Sequence, residues 1–329
     1  MIRELLKQFR IKSPVTQLTL GLVIYAIIAL VYLARINVTE ERISLGSNTF
    51  FRALIGVSMI MLVNLGYVVV HRFALKRTFP NLPNLLIMGL ILFLLINPTT
   101  PLWLYPLVAV SALVLKIFVR KSGKPVFNPA GAGIYATLLF TLFLTEVKVL
   151  ENVLFVSWWG TSFGPLLELW KLQIPVIVLV ATPFFIYFTA KFRKLWYAMT
   201  FLSVYFIAQL LNLMINIDIS LSPFSIQFFT DFSLDTVTNL INIFLLGTIL
   251  FFTFVMLVEP KTSPIFKLHQ IQLGTIVAII LFSTDFLPFT LYAPLIITLL
   301  LANLIQFLVF ARLKPPKKRS TGTIATQKS

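Results

Sequence analysis

The chain has 329 residues, of which 58% are hydrophobic and only 12% charged, and its formal net charge is +16. Soluble domains are nearer half apolar and a quarter charged, so this composition predicts a membrane protein rather than a water-covered globule. The absence of cysteine excludes disulfides, thiolate metal sites and a cysteine-held iron–sulfur cluster within the chain. The two histidines, His71 and His269, are far apart in sequence, so no metal site is expected.

Residues 1–14 are read as a basic cytoplasmic N-terminus. The apolar run that follows, 15–34, is too long for a signal-peptide core and has no A-x-A cleavage site, so it is expected to be a retained first span. Further runs near the ~20 residues a span needs lie at 51–70, 83–97, 102–119, 129–145, 172–190, 195–215, 237–258, 271–286 and 291–310. Placing both ends in the cytoplasm puts all but five of the 27 Lys and Arg on that side, the exceptions being Arg35, Arg42, Arg52, Lys148 and Lys171. Such a bias orients membrane proteins, and it accounts for the positive charge without nucleic acid as a partner. The expected partner is the lipid bilayer of a bacterial inner or plasma membrane. The expected organisation is one transmembrane domain over 15–312 and a basic cytoplasmic tail over 313–329.

Pro and Gly punctuate these runs at matching places. The third run leads into Ile96-Asn97-Pro98-Thr99-Thr100-Pro101, and the fifth opens with Phe127-Asn128-Pro129-Ala130-Gly131-Ala132-Gly133. In the second half, the eighth ends in Val258-Glu259-Pro260-Lys261-Thr262-Ser263-Pro264, and the tenth is entered through Phe286-Leu287-Pro288-Phe289. Paired, broken helices at equivalent positions point to inverted repeats around a central site, because freed backbone groups cannot face lipid. The expected fold is therefore an all-α polytopic membrane protein. It has about ten transmembrane helices in a 5+5 inverted repeat, with halves near 15–145 and 172–312. Alternatively, Pro and Gly simply end helices at the interface.

Three segments carry a family resemblance: 89–103 ending in Pro98-Thr99-Thr100-Pro101-Leu102-Trp103, the segment Gly123-Lys124-Pro125-Val126-Phe127-Asn128-Pro129-Ala130, and Met256-Leu257-Val258-Glu259-Pro260-Lys261-Thr262-Ser263. In order and spacing the chain resembles the D subunit of Rnf-type electron transport complexes and its sister, the B subunit of the sodium-translocating NADH:quinone reductase. The resemblance implies a subunit that works with other membrane subunits to couple flavin-mediated electron transfer to sodium or proton movement. It also implies an FMN held by a threonine in an extracytoplasmic loop. The equivalent loop, 158–168, places Gly164 where that threonine belongs, and glycine has no hydroxyl to form a phosphoester. Covalent FMN is therefore not expected, and non-covalent FMN or riboflavin is the expected cofactor. The other reading of the chain is a transporter for a flavin or similar solute on the same fold.

Individual residues keep two readings each. Glu259 binds a cation or proton, or pairs with Lys261 or Lys267 at the interface. Asn128 donates to a ligand, or caps the helix that begins at Pro129. Trp159 stacks on a flavin, or belongs to the aromatic belt of a membrane surface. Thr161 and Ser162 hold a flavin phosphate or merely line the loop. Pro129, Pro260 and Thr262 complete the helix-break candidates. No catalytic set of nucleophile and base is present in the sequence, so any redox chemistry would come from a bound cofactor or partner.

Overall fold

The computed structural model describes residues 8–9, 13–39, 49–74, 76, 79–121, 123–146, 156–161, 166–169, 172–215, 217–218, 225–226, 234–245, 247–259, 261–287 and 293–310. The elements in chain order are α1 (Pro14–Thr39), α2 (Thr49–Val69, continued by a wider π turn at Val70–Ala74), α3 (Leu82–Leu95) and α4 (Leu104–Phe118). After a two-residue hairpin, β1 (Arg120–Lys121) with β2 (Lys124–Pro125), comes α5 (Pro129–Glu146). A 3-10 turn at Trp159–Thr161 precedes a second hairpin, β3 (Leu166–Leu169) with β4 (Leu172–Pro175). Then follow α6 (Val176–Lys191), α7 (Leu195–Ile215), the small pair β5 (Ile217–Asp218) and β6 (Ser225–Ile226), and α8 (Leu234–Leu245). The chain closes with α9 (Thr248–Phe251, running into a π-helix at Phe252–Leu257), α10 (Lys267–Thr284) and α11 (Pro294–Ile305, running into a π turn at Gln306–Phe310).

Helix α3 is the centre of the first part of the fold. It packs on α1, α2 and α5, and its residues Leu90 to Leu95 are all buried. A helix that is apolar all round is one that protein surrounds on every side. Its N-terminus is closed by Asn81, whose side chain accepts from the Asn84 N–H at 3.1 Å, and by Gln8, which accepts from the Leu82 N–H at 2.9 Å. Helices α4 and α5 approach closely because Gly133 faces the backbone of Ala112, where any Cβ would collide. Helices α7 and α10 do the same through Gly274, which lies against the Tyr197 carbonyl.

Among the described residues, three helical stretches are long and apolar enough to cross a membrane: Pro14–Arg35, Thr49–Ala74 and Leu195–Asn212. Each shows one exposed apolar stripe at helical spacing. On α1 it is Leu20, Ile24, Ile27, Ile28 and Val31; on α2 it is Phe51, Leu54, Ile55, Leu62, Leu65 and Val69. The exposed Ser58 falls on the α2 stripe, where its hydroxyl is spent on the Leu54 carbonyl at 2.8 Å. On α7, Trp196, Met199, Ile207 and Leu211 face outward while Tyr197, Phe201 and Tyr205 are buried on the other side. Apolar stripes of this extent on a water-exposed surface would drive association, so they are consistent with contact to a membrane.

This corrects the ten-span, 5+5 inverted-repeat expectation. Leu82–Leu95, Leu104–Phe118, Val176–Lys191, Thr248–Leu257 and Pro294–Phe310 are apolar but too short by the same measure. At 1.5 Å per residue the 14 residues of α3 reach about 20 Å, against a hydrocarbon thickness of about 30 Å. The run 172–190 opens as strand β4, which leaves 16 residues of helix. The run 237–258 is divided at Gly247, whose φ of 92° no helix accommodates. The 18-residue helices α5 and α10 carry polar ends at Glu146 and at Lys267, His269 and Gln270. A hydropathy count cannot tell an apolar helix facing lipid from one wrapped in protein, and here Leu82–Leu95 and Thr248–Leu257 are largely wrapped. With three such helices, the inference that both termini share one side of a membrane also lapses.

The break at Gly247 gives a direct test. A Cβ there would land on the Thr161 carbonyl, whereas one at Gly66 would meet nothing within 4 Å. Gly247→Ala is expected to lower the thermal unfolding midpoint, with a cost of about 1–3 kcal/mol for the forced left-handed backbone. Gly66→Ala should be neutral or slightly stabilising. Equal midpoints for the two variants in a fluorescence-monitored melt would contradict this geometry.

Candidate functional site

The segment from Gly247 to Pro264 is irregular, and its carbonyls need partners from elsewhere. Thr253 bonds the Ile249 carbonyl through its own hydroxyl at 2.6 Å, and Thr189 of α6 reaches the Phe254 carbonyl at 3.2 Å. Asn128, at 3% exposure, donates its Nδ2 to the Met256 carbonyl at 3.3 Å. Its Oδ1 accepts from the Ala130 and Gly131 N–H groups at 3.0 and 3.2 Å, which makes it the N-cap of α5 with Pro129 at the first helical position. The Asn128 N–H in turn donates to Oδ1 of the buried Asn303 on α11 at 2.6 Å. One side chain therefore ties the start of α5 to the broken helix, and its backbone ties both to α11.

Below that point the chain turns sharply. Ser263 Oγ donates to the Glu259 carbonyl at 2.7 Å, and Thr262 Oγ1 donates to Glu259 Oε2 at 3.3 Å. Lys194, only 4% exposed, donates its Nζ to the Ser263 carbonyl at 3.0 Å and to that of Pro264 at 2.5 Å. Burial and the charge of Lys124 lower the Lys194 ammonium to about 8. Gln270 of α10 donates to the Arg193, Pro264 and Ile265 carbonyls at 2.8, 3.2 and 3.1 Å. The turn after Glu259 is thus clamped between α7 and α10.

These contacts frame a cavity of about 300 Å3. Its walls are apolar, with Leu18, Ile87, Met88, Ile91 and Val255 among them, and its polar groups are Asn81, Asn84, Lys116, Asn128, Glu259 and Lys261. A largely apolar hollow with a few converging polar groups is the usual form of a small-molecule site, and this volume is at the small end of the ~300–1,000 Å3 range. Burial raises the Glu259 carboxyl to about 7, while the charges of Lys116 and Lys261 and the Thr262 hydrogen bond oppose the rise.

The residues anticipated from sequence fall into two groups, divided by the length of α3. Asn128, Pro129, Glu259 and Thr262 gather at the end where α3 begins, and the first three line the cavity. Trp159 and Thr161 lie at the other end. Trp159 donates its indole N–H to the Phe93 carbonyl at 3.0 Å and meets the Phe93 ring edge-on at 5.2 Å, so it closes the C-terminal turn of α3. Thr161 is buried, donates to the Trp158 carbonyl at 2.7 Å and lies 3.2 Å from the Thr248 hydroxyl. Ser162, Gly164 and Pro260 lie outside the described residues. Sequence reading overlooked Asn81, Asn84, Lys116 and Asn303. The signal for Lys116 is present, since it is the one charge in the apolar run 102–119, but it disappears into the count of cytoplasmic lysines. Asn303 had no such mark.

No family model matches the chain, and no curated protein matches it. The resemblance to the Rnf and sodium-translocating reductase subunits is therefore not supported, and the ten-span fold on which it depended is not what these residues build. The electron-transport assignment and the transporter alternative on the same fold fall with it. Short Pro-containing segments recur wherever helices are interrupted, and three of them do not make a family.

Glu259 supplies a pH test. An acid with a raised pKa in the folded state is bound to its proton more tightly there than when unfolded. Its contribution to stability is therefore greatest below the unfolded value of 4.5 and declines as pH rises through about 7. The wild-type melting midpoint is expected to fall between pH 5 and pH 7.5 more steeply than that of Glu259→Gln. Parallel profiles for the two proteins would show that the carboxylate is not buried as described.

Proposed function

We propose that the chain is a membrane-associated binding protein whose site is the cavity between α3, the start of α5 and the Glu259 turn. The ligand is a small molecule with an apolar body and a polar head. The observation that carries this is the composition of the cavity wall, apolar over most of its extent with six polar side chains gathered on it. The three long apolar helices, with their exposed stripes, support the lipid bilayer as the partner of the outer surface. An apolar-bodied ligand would be available in that setting, because it partitions from water toward lipid.

The site is also pre-formed. Asn128, Thr189 and Lys194 occupy the irregular backbone around it, so the cavity need not collapse to satisfy those carbonyls. Leu18, on the α1 wall, is half-buried and can be enlarged without disturbing these bonds. Wild-type protein and Leu18→Trp, purified in parallel, are to be extracted and their small molecules compared by mass spectrometry. A compound recovered near one per chain from wild type and depleted from Leu18→Trp is the expected result. Equal recovery, or no retained compound in either, would refute the proposal.

A further inference from the structure

The two lysines of the cavity are the groups its own contacts leave unexplained. Lys194 nearby donates to two carbonyls, and Asn128 makes four hydrogen bonds. Lys116, half-buried on α4, has no hydrogen-bond or ion-pair partner among the described residues, nor has Lys261. Both feel the field of Glu259, whose carboxylate is engaged by Thr262. Withdrawing the Lys116 ammonium from water without an acceptor is costly, and the exposed Lys261 adds a second positive charge beside the same apolar hollow. Glu259 offsets one of the two positive charges and leaves the other. Arg120, at the end of the same helix, adds to the positive field, while its own guanidinium is turned to the Gly123 carbonyl at 2.8 Å.

Resting on the reading of the cavity as a ligand site, we infer that its ligand is a monoanionic amphiphile. Its head group is held between Lys116 and Lys261, and its tail lies against Ile87, Met88, Ile91 and Val255. A cationic ligand would meet two ammoniums for one carboxylate. A neutral one would leave both lysines as they are. Glu259 then acts as a selectivity element, since its negative charge opposes the head group and excludes anions that bind weakly.

The test uses full-length protein in non-ionic detergent and three probes with the same tail: octanesulfonate, octanol and octyltrimethylammonium. Titration calorimetry is expected to show octanesulfonate binding at least about tenfold more tightly than either of the others. Lys116→Gln should weaken octanesulfonate roughly tenfold, the effect of one charge-assisted hydrogen bond, and Glu259→Gln should tighten it. Lys261→Gln, at an exposed position that tolerates change, serves as the second variant should Lys116→Gln fold poorly. If octanol binds as tightly as octanesulfonate, or if neither lysine variant alters affinity, the anionic assignment is overturned while the cavity reading stands. If none of the three probes binds wild type, the cavity reading itself is removed.

Discussion

The backbone carbonyls between Ile249 and Pro264 cannot all be satisfied by their own helix, and in a largely apolar molecule they cannot be left bare. An unpaired buried polar group costs on the order of 1–3 kcal/mol. The surrounding elements are arranged so that each supplies one donor. Thr189 comes from α6, Asn128 from the start of α5, Lys194 from the α6–α7 turn and Gln270, on the Pro264 carbonyl, from α10. Apart from Thr189 and Lys194, which lie on either side of the end of α6, they are far apart in sequence. Their meeting on one irregular segment fixes the relative positions of four helices, and the cavity is the space left beside them.

The same constraint explains why a strong cap and a ligand site coincide at Asn128. Its Oδ1 accepts from two backbone N–H groups and its Nδ2 donates to the Met256 carbonyl, so its role is structural, and the charge of the cavity falls to Lys116, Lys261 and Glu259. Tying the broken helix to the start of α5 through Asn128 lets Lys116 and Lys261 stand at the cavity without the backbone closing over them. The π-helix at Phe252–Leu257 belongs to the same logic, because widened turns bulge carbonyls outward, where side chains from other elements can reach them.

Some of this could be read from the residues alone and some could not. The pairing of Asn128 with Pro129 announces a capped helix start, and the turn at Glu259 was visible in its prolines and its lone acid. The apolar runs at 15–34 and 51–70 correspond to α1 and α2, whose lipid-compatible stripes follow from helical spacing. The number of spans was not legible, because apolarity alone does not say what surrounds a helix. In α3, Leu90 to Leu95 are enclosed by protein, and the run at 237–258 hides a left-handed glycine that divides it. Only the resemblance groups Trp159 and Thr161 with Asn128 as cofactor contacts. In the structure they close the far end of α3. The partnership of Asn128 with Asn303, 175 residues away, is a product of tertiary packing that no local pattern encodes.

The account stands or falls on where an anionic amphiphile settles in this chain. Crystals or frozen particles of the protein with 8-bromooctanesulfonate would locate both ends of the ligand, the bromine through its anomalous or added density. The account predicts bromine among Met88, Ile91 and Val255, with the sulfonate between Lys116 and Lys261. Bromine confined to the outer stripes of α1, α2 and α7, with the cavity unchanged, would contradict it.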